Sequence, residues 1–147
     1  MRPFRFSCLL FIIVSAVAAQ AQPKALPAPL FAAAMATARQ YADDRTLLNY
    51  CFRADAEATA FLSLGMHDDL TTTRLVLQGA DANLMQMAEL VKAVLSNVRY
   101  AAPDAKDARL DDDCKRKDVG NSYAQMKPNS VGTPLFLRPP FDKMKPK

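Results

Sequence analysis

Apolar residues recur at steps of three and four along most of the chain, which is the spacing of amphipathic helices. From Leu30 onward, one such stripe comprises Phe31, Ala34, Met35, Ala38, Tyr41 and Ala42. It can be followed to Phe52, with Asp43–Asp44 as either a break or an internal N-cap, and Pro29 suits the first helical turn. We therefore predict a helix from Leu30 to about Phe52.

Two shorter helices are predicted next. Residues 54–64 are rich in helix-forming side chains, and Gly65 is typical of the residue that follows a helix end. A second helix then begins at Asp68 or Asp69 and ends at Gly79. The β-branched Thr71–Thr73 run weakens this second helix, because such side chains lose χ1 freedom in a helix.

The clearest helical pattern spans Ala82–Val98, with Asp81 as its predicted cap. Its apolar stripe consists of Leu84, Met87, Leu90, Val91, Val94, Leu95 and Val98. Polar side chains lie largely off that stripe. We expect the whole stripe to be buried against other helices.

The last predicted helix follows Pro103–Asp104 and runs from 105 to about Val119, with Cys114 facing the core and Gly120 at its end; residues 121–126 add a further turn. Beyond Lys127 the prolines at 128, 134, 139, 140 and 146 exclude a helix. The predicted fold is all-α, a small bundle of about four to five helices with an irregular Pro-rich C-terminal tail.

The first residues have the pattern of a secretory signal peptide. Arg2 and Arg5 precede an apolar stretch, Phe6–Val17, and small residues then form two A-x-A cleavage patterns. The alternative is an uncleaved transmembrane anchor, for which the stretch is short. We expect residues 1–21 to be removed and a location in the periplasm or outside the cell. A helical domain (22–126) and a basic tail (127–147) remain, with no transmembrane segment.

Removal of the leader takes Cys8 with it and leaves Cys51 and Cys114. In an oxidising compartment such a pair favours a disulfide. Closing a loop of that size is worth about 4 kcal/mol in the chain-entropy model. The alternative, a catalytic thiol, lacks a C-x-x-C pattern and has a single histidine to activate it. We predict the Cys51–Cys114 disulfide.

The distribution of net charge along the chain bears on which class of partner the protein binds. The 147-residue chain has formal net charge +4, yet without the leader it holds 17 basic and 15 acidic side chains. The segment 22–126 has net charge −2 (12 basic, 14 acidic), and the tail has +4 (five basic, one acidic). No nucleic-acid partner is therefore predicted. Four scattered glycines also exclude a Gly-rich phosphate loop.

Candidate chemistry is sparse. His67–Asp68–Asp69 has the residue types of a metal or general-base site, but adjacent helical residues point in different directions. The charged run 111–118 suits a solvated helix face with i,i+4 pairs such as Asp112–Arg116, and the alternative is a docking surface for a charged partner. Met85 and Met87 suit packing. We predict no catalytic residue, no metal site and no cofactor.

The tail is the most suggestive surface. Its predicted partner contacts are the apolar and basic residues Leu135, Phe136, Leu137, Arg138, Phe141, Lys143 and Lys145. An extended Pro-rich segment loses little chain entropy on binding. Two alternatives stay open: the segment packs on its own helices, or its lysines make weak contact with an anionic membrane surface.

The leading functional hypothesis is a small exported, non-catalytic protein-interaction module, an accessory subunit or inhibitor that engages a protein partner partly through the tail. One alternative is a periplasmic chaperone-like or apolar-ligand-binding helical protein, which an inter-helix cavity would favour. The other is a metal-assisted enzyme at His67, Asp68 and Asp69.

Overall fold

Five α-helices and two 3₁₀ turns form the described part of the chain. The computed structural model describes residues 24–116, 119–126 and 135–144. The helices are α1 (Ala28–Cys51), α2 (Ala56–Gly79), α3 (Leu84–Asn97), α4 (Ala108–Arg116) and α5 (Val119–Met126). The 3₁₀ turns are Leu135–Leu137 and Phe141–Lys143. The predicted signal peptide (1–21), the first half of the tail and Lys145 lie outside the described residues.

The prediction of an all-α bundle is confirmed, and the described residues contain no strand. α1 matches its predicted stripe, since Ala34, Ala38, Tyr41 and Ala42 are all fully buried. The helix runs unbroken through Asp43–Asp44. Its first turn contains a proline, as expected from the missing amide hydrogen that a first turn leaves unpaired.

The predicted helix end at Gly65 is wrong, because α2 continues through it to Gly79. Gly65 is buried inside the helix, where a glycine costs about 1 kcal/mol relative to alanine. Burial of Leu62, Leu70 and Leu77 along the same helix offsets that cost. The N-cap is Asp55, whose carboxylate accepts a 2.9 Å hydrogen bond from the Ala58 amide.

The predicted cap of α3 is also wrong. The N-cap is Asn83, which forms a capping box with Gln86, whereas Asp81 lies in the preceding turn at φ 66°. Asp is among the non-glycine residues that tolerate this left-handed conformation best. Gln86 also bonds the backbone of Leu26 in both directions, at 2.8 Å to its amide and 3.1 Å to its carbonyl. The capping residue thereby holds the chain segment that enters α1.

The region after α3 begins its helix later than predicted. The carboxylate of Asp107 accepts hydrogen bonds from the amides of Arg109 and Leu110 at the start of α4. Gly120 does not end a helix but lies in α5. In the charged run, Arg116 pairs with Asp113 at 3.1 Å rather than with the predicted Asp112.

The predicted disulfide is confirmed. Cys51, the last residue of α1, is bonded to Cys114 of α4, with 5.7 Å between their Cα atoms and 63 positions between them in sequence. No residue of α4 is fully buried. Packing of apolar side chains therefore holds α4 weakly, and the covalent bond is its main attachment to α1.

The core has two parts. The larger cluster joins α1, α2 and α3 with the end of the tail; its members at the two ends of the described chain are Leu26 and Met144. The smaller one contains Leu48 and Leu62, against which Phe52, Val119 and Tyr123 pack. None of the described helices is both long enough and apolar enough to cross a membrane.

Candidate functional site

The side chains of His67, Asp68 and Asp69 do not converge on one site. His67 and Asp68 are exposed on the middle of α2, whereas Asp69 is buried. Successive helical residues differ by about 100° around the axis, so the Asp69 carboxylate points inward while the side chains of His67 and Asp68 point outward. Within the described ranges, no group of three or more His, Cys, Asp or Glu side chains could hold a metal ion.

Asp69 instead belongs to a buried polar network between α1 and α2. Its Oδ2 accepts hydrogen bonds from Tyr41 Oη at 2.5 Å and from Arg45 Nη2 at 2.8 Å. Arg45 Nε donates to Tyr41 Oη at 2.9 Å, and its Nη1 donates to the Leu62 carbonyl at 2.8 Å. Arg45 is only 1% exposed. The network is largely buried, and it ties the two longest helices together.

Burial sets the protonation of this network. It raises the pKa of Tyr41 far above its usual value, against the opposing effect of Arg45. The phenol therefore stays neutral and donates a hydrogen bond to the Asp69 carboxylate. Burial also raises the pKa of Asp69, while the Tyr41 hydrogen bond and Arg45 act to lower it.

The raised pKa of Tyr41 predicts a pH dependence of stability. Because the folded state keeps this phenol neutral, Tyr41 contributes fully to the free energy of unfolding below pH ~10. At higher pH that contribution falls by about 1.4 kcal/mol per pH unit. Tyr41→Phe lacks this titration. Urea unfolding at pH 9, 10 and 11 should show the stability gap between wild type and Tyr41→Phe shrinking above pH 10. A gap that stays constant to pH 11 would contradict the assignment.

The tail packs on the helices for much of its described length. Leu135 and Phe141 are 0% and 1% exposed and lie in the larger core cluster, together with Met144. Arg138 bonds Asp44 of α1 at 2.9 Å, and its guanidinium lies 5.5 Å from the centre of the Tyr41 ring. Thr37 of α1 donates a 2.7 Å hydrogen bond to the Pro139 carbonyl. These contacts attach the tail to the same part of α1 as the buried network.

The predicted partner contacts in the tail are therefore divided. Leu135 and Phe141 pack on the protein's own helices, as the self-packing alternative expects, and Phe136 is partly buried. Leu137 remains 48% exposed and Lys143 is on the surface. A role for these residues in binding a partner stays a prediction.

A separate apolar groove lies between α2 and α3. Its volume is about 710 Å³, and the lining residue that α2 contributes is Arg74. The other lining residues, all from α3, are Leu84, Met87, Ala88, Val91, Lys92, Leu95 and Ser96. An adjoining groove of about 620 Å³ shares Leu84 and Met87 and extends past Met85 to Lys24 and Asp81. Together the two form one surface, which we call the α3 groove.

The side chains of the α3 groove are unusually exposed for their type. Leu84 is 80% exposed, Met85 74% and Leu95 53%. Contiguous exposed apolar surface of this kind marks binding sites more often than isolated exposed leucines do. The α3 groove is therefore the candidate functional site.

The prediction that the whole α3 stripe is buried is wrong for Leu84 and Leu95. The structure buries Leu90, Val94 and Val98 instead. A usable signal was present in the spacing: Leu84 and Leu90 are six positions apart, which puts them about 120° apart around a helix. Since a core-facing stripe is about 100° wide or more, residues at the two edges of such an arc need not share one packing contact.

Comparison with known proteins gives no match to a family model, to a curated protein or to a solved structure. The geometry of the α3 groove is therefore the basis for a functional proposal.

Proposed function

We propose that this protein is a small exported, non-catalytic protein-interaction module, an accessory subunit or inhibitor that binds a partner protein in the α3 groove. The observation that carries the proposal is the groove itself, in which Leu84, Met85 and Leu95 expose more than half of their surface. Leaving large apolar side chains in water costs free energy that a partner's apolar surface would recover on binding.

Export is part of the proposal. The leader-like residues 1–21 and the Cys51–Cys114 disulfide support it, because disulfides persist mainly in oxidising compartments. In the tail, Leu137 and Lys143 are exposed and provide a second, smaller contact for the partner. The cationic tail is compatible with a partner that is acidic near the binding site.

A second candidate function is chaperone-like binding of exposed apolar segments in unfolded chains. The methionines Met85 and Met87 favour it, since flexible thioether side chains adapt to many partners. The two functions differ in selectivity, because a chaperone binds many unfolded chains whereas an accessory subunit or inhibitor binds one folded partner.

Photo-crosslinking tests the proposal in cells of the source organism. A photoreactive phenylalanine analogue placed at Ala88 is expected to give one discrete adduct with another protein, while the same analogue at Lys106 gives none. Leu84→Asp should abolish the adduct. Leu64→Asp is the matched control, because Leu64 is a 56% exposed leucine that does not line the groove.

The outcomes separate the candidates. A ladder of many adducts that Leu84→Asp abolishes would support chaperone-like binding instead. Absence of any adduct from position 88, or equal loss of the adduct in Leu64→Asp and Leu84→Asp, would contradict binding through the groove.

A further inference from the structure

The charged side chains that line the larger part of the α3 groove are both positive. Arg74 and Lys92 line its larger part, and none of the described lining residues there is acidic. Glu89 is exposed on α3 but does not line the groove. In the smaller part, Asp81 has its own cation, Lys24, at 3.5 Å. Positive charge at this site stands out because the segment 22–126 is net acidic.

The shape of the groove fits an elongated occupant. Leu84 and Leu95 are eleven positions apart, which corresponds to a length of about 16 Å along the axis of α3. Small-molecule sites bury most of a ligand in a concave pocket, whereas lining residues that are 80% and 53% exposed leave this groove open along its side. Ala88 lies between the two leucines, and its small side chain lets another backbone come close. A helix laid lengthwise against α3 meets these conditions.

We propose that the occupant is an amphipathic helix of the partner protein, with carboxylates beside its apolar stripe. This inference rests on the proposed function and names the chemistry of the partner. Apolar side chains at i, i+3, i+4 and i+7 of that helix pack on Leu84, Val91 and Leu95. Glutamate or aspartate beside the stripe faces Arg74 and Lys92, which gives the complex its charge complementarity.

A second copy of this chain fits the groove less well. Pairing two α3 grooves would put a second Arg74 and a second Lys92 into one interface, with no acidic lining residue from the larger part to pair with them. Like charges in an interface are unfavourable. The same cations favour a partner of opposite charge.

A selection experiment tests the inference with the full chain. The probe is a displayed library of 18-residue helical peptides in which the leucine stripe is fixed and the flanking positions vary among Glu, Gln and Lys. Selection is expected to enrich Glu at these positions. The double reversal Arg74→Glu/Lys92→Glu should weaken the best acidic peptide by about tenfold or more in fluorescence anisotropy and should shift enrichment to Lys.

The matched control is Arg109→Glu/Lys115→Glu, which reverses two exposed cations of α4 and should leave both affinity and selection unchanged. Enrichment without charge preference, no enrichment, or affinity that survives the Arg74→Glu/Lys92→Glu reversal would each overturn the inference. Self-association seen in sedimentation would also overturn it if Leu84→Asp abolished that association. Binding to anionic lipid vesicles would do the same if Leu84→Asp abolished that binding. If the position-88 adduct forms while the selected peptides are not acidic, the inference alone fails and the proposed function stands.

Discussion

Replacing Arg45 by methionine is expected to lower the free energy of unfolding by about 3–5 kcal/mol. Methionine keeps much of the apolar stem but removes the charge that pairs with Asp69 at 2.8 Å. The Asp69 carboxylate, Tyr41 Oη and the Leu62 carbonyl would each lose a hydrogen-bond donor in a buried site. Chemical denaturation followed by circular dichroism measures the loss.

Two further variants test this interpretation. Arg39→Met alters an exposed arginine on the same helix and should change stability by no more than about 0.5 kcal/mol. The triple variant Tyr41→Phe/Arg45→Met/Asp69→Leu removes the whole network, and it should be more stable than Arg45→Met because no buried charge is left unpaired. A cost below about 1 kcal/mol for Arg45→Met would contradict a structural role for the network.

Removing the disulfide with Cys51→Ala/Cys114→Ala is expected to cost about 4 kcal/mol, since the bond closes a loop of 63 positions. The effect should be local as well as global. α4 has no fully buried residue, and its polar attachments to α1 include the hydrogen bond from the Tyr50 hydroxyl to Asp111 at 2.9 Å. The backbone amides of Ala108–Arg116 should therefore lose their protection against hydrogen exchange before those of α2 or α3 do.

The control is wild-type protein treated with a reductant, which should match the double-alanine variant in both stability and exchange. Unfolding midpoints that are the same with and without the disulfide would show that polar contacts and packing hold α4 unaided. That result would contradict the entropic role assigned to the bond.

The fold class and the disulfide could be predicted because helical periodicity and the number of cysteines can be read directly from the sequence. The α1 stripe, with Ala34, Ala38 and Tyr41, repeats at helical spacing and is buried as expected. Without the predicted leader, two cysteines remain, and they allow only one intramolecular pairing. Neither inference required knowing how the helices are arranged.

The errors arose where tertiary contacts outweighed local preference. Gly65 resembles a helix end, yet the packing of its neighbours Leu62 and Leu70 carries α2 through it. Asp69 resembles a cap, but its partners are 24 and 28 positions earlier in the chain. Arg45 did give a signal, because it falls on the same stripe as Ala38 and Ala42, where an arginine requires a buried partner.

The candidate site was missed for a related reason. Helical periodicity shows which residues share a face but not how many faces the neighbouring helices cover. On α3 they cover the side of Leu90 and Val94 and leave Leu84 in water. In the tail they cover Leu135 and Phe141, which in the sequence look as available as Leu137.

The shared core of Leu26 and Met144 has a consequence for biosynthesis. Residues that are 118 positions apart complete one hydrophobic cluster, so that cluster cannot close until Met144 has left the ribosome. Long-range contacts of this kind slow folding, because the chain must be ordered before they form. The described core therefore closes only after the residues at both of its ends have been synthesised, and a chain that lacks Met144 would leave this cluster incomplete.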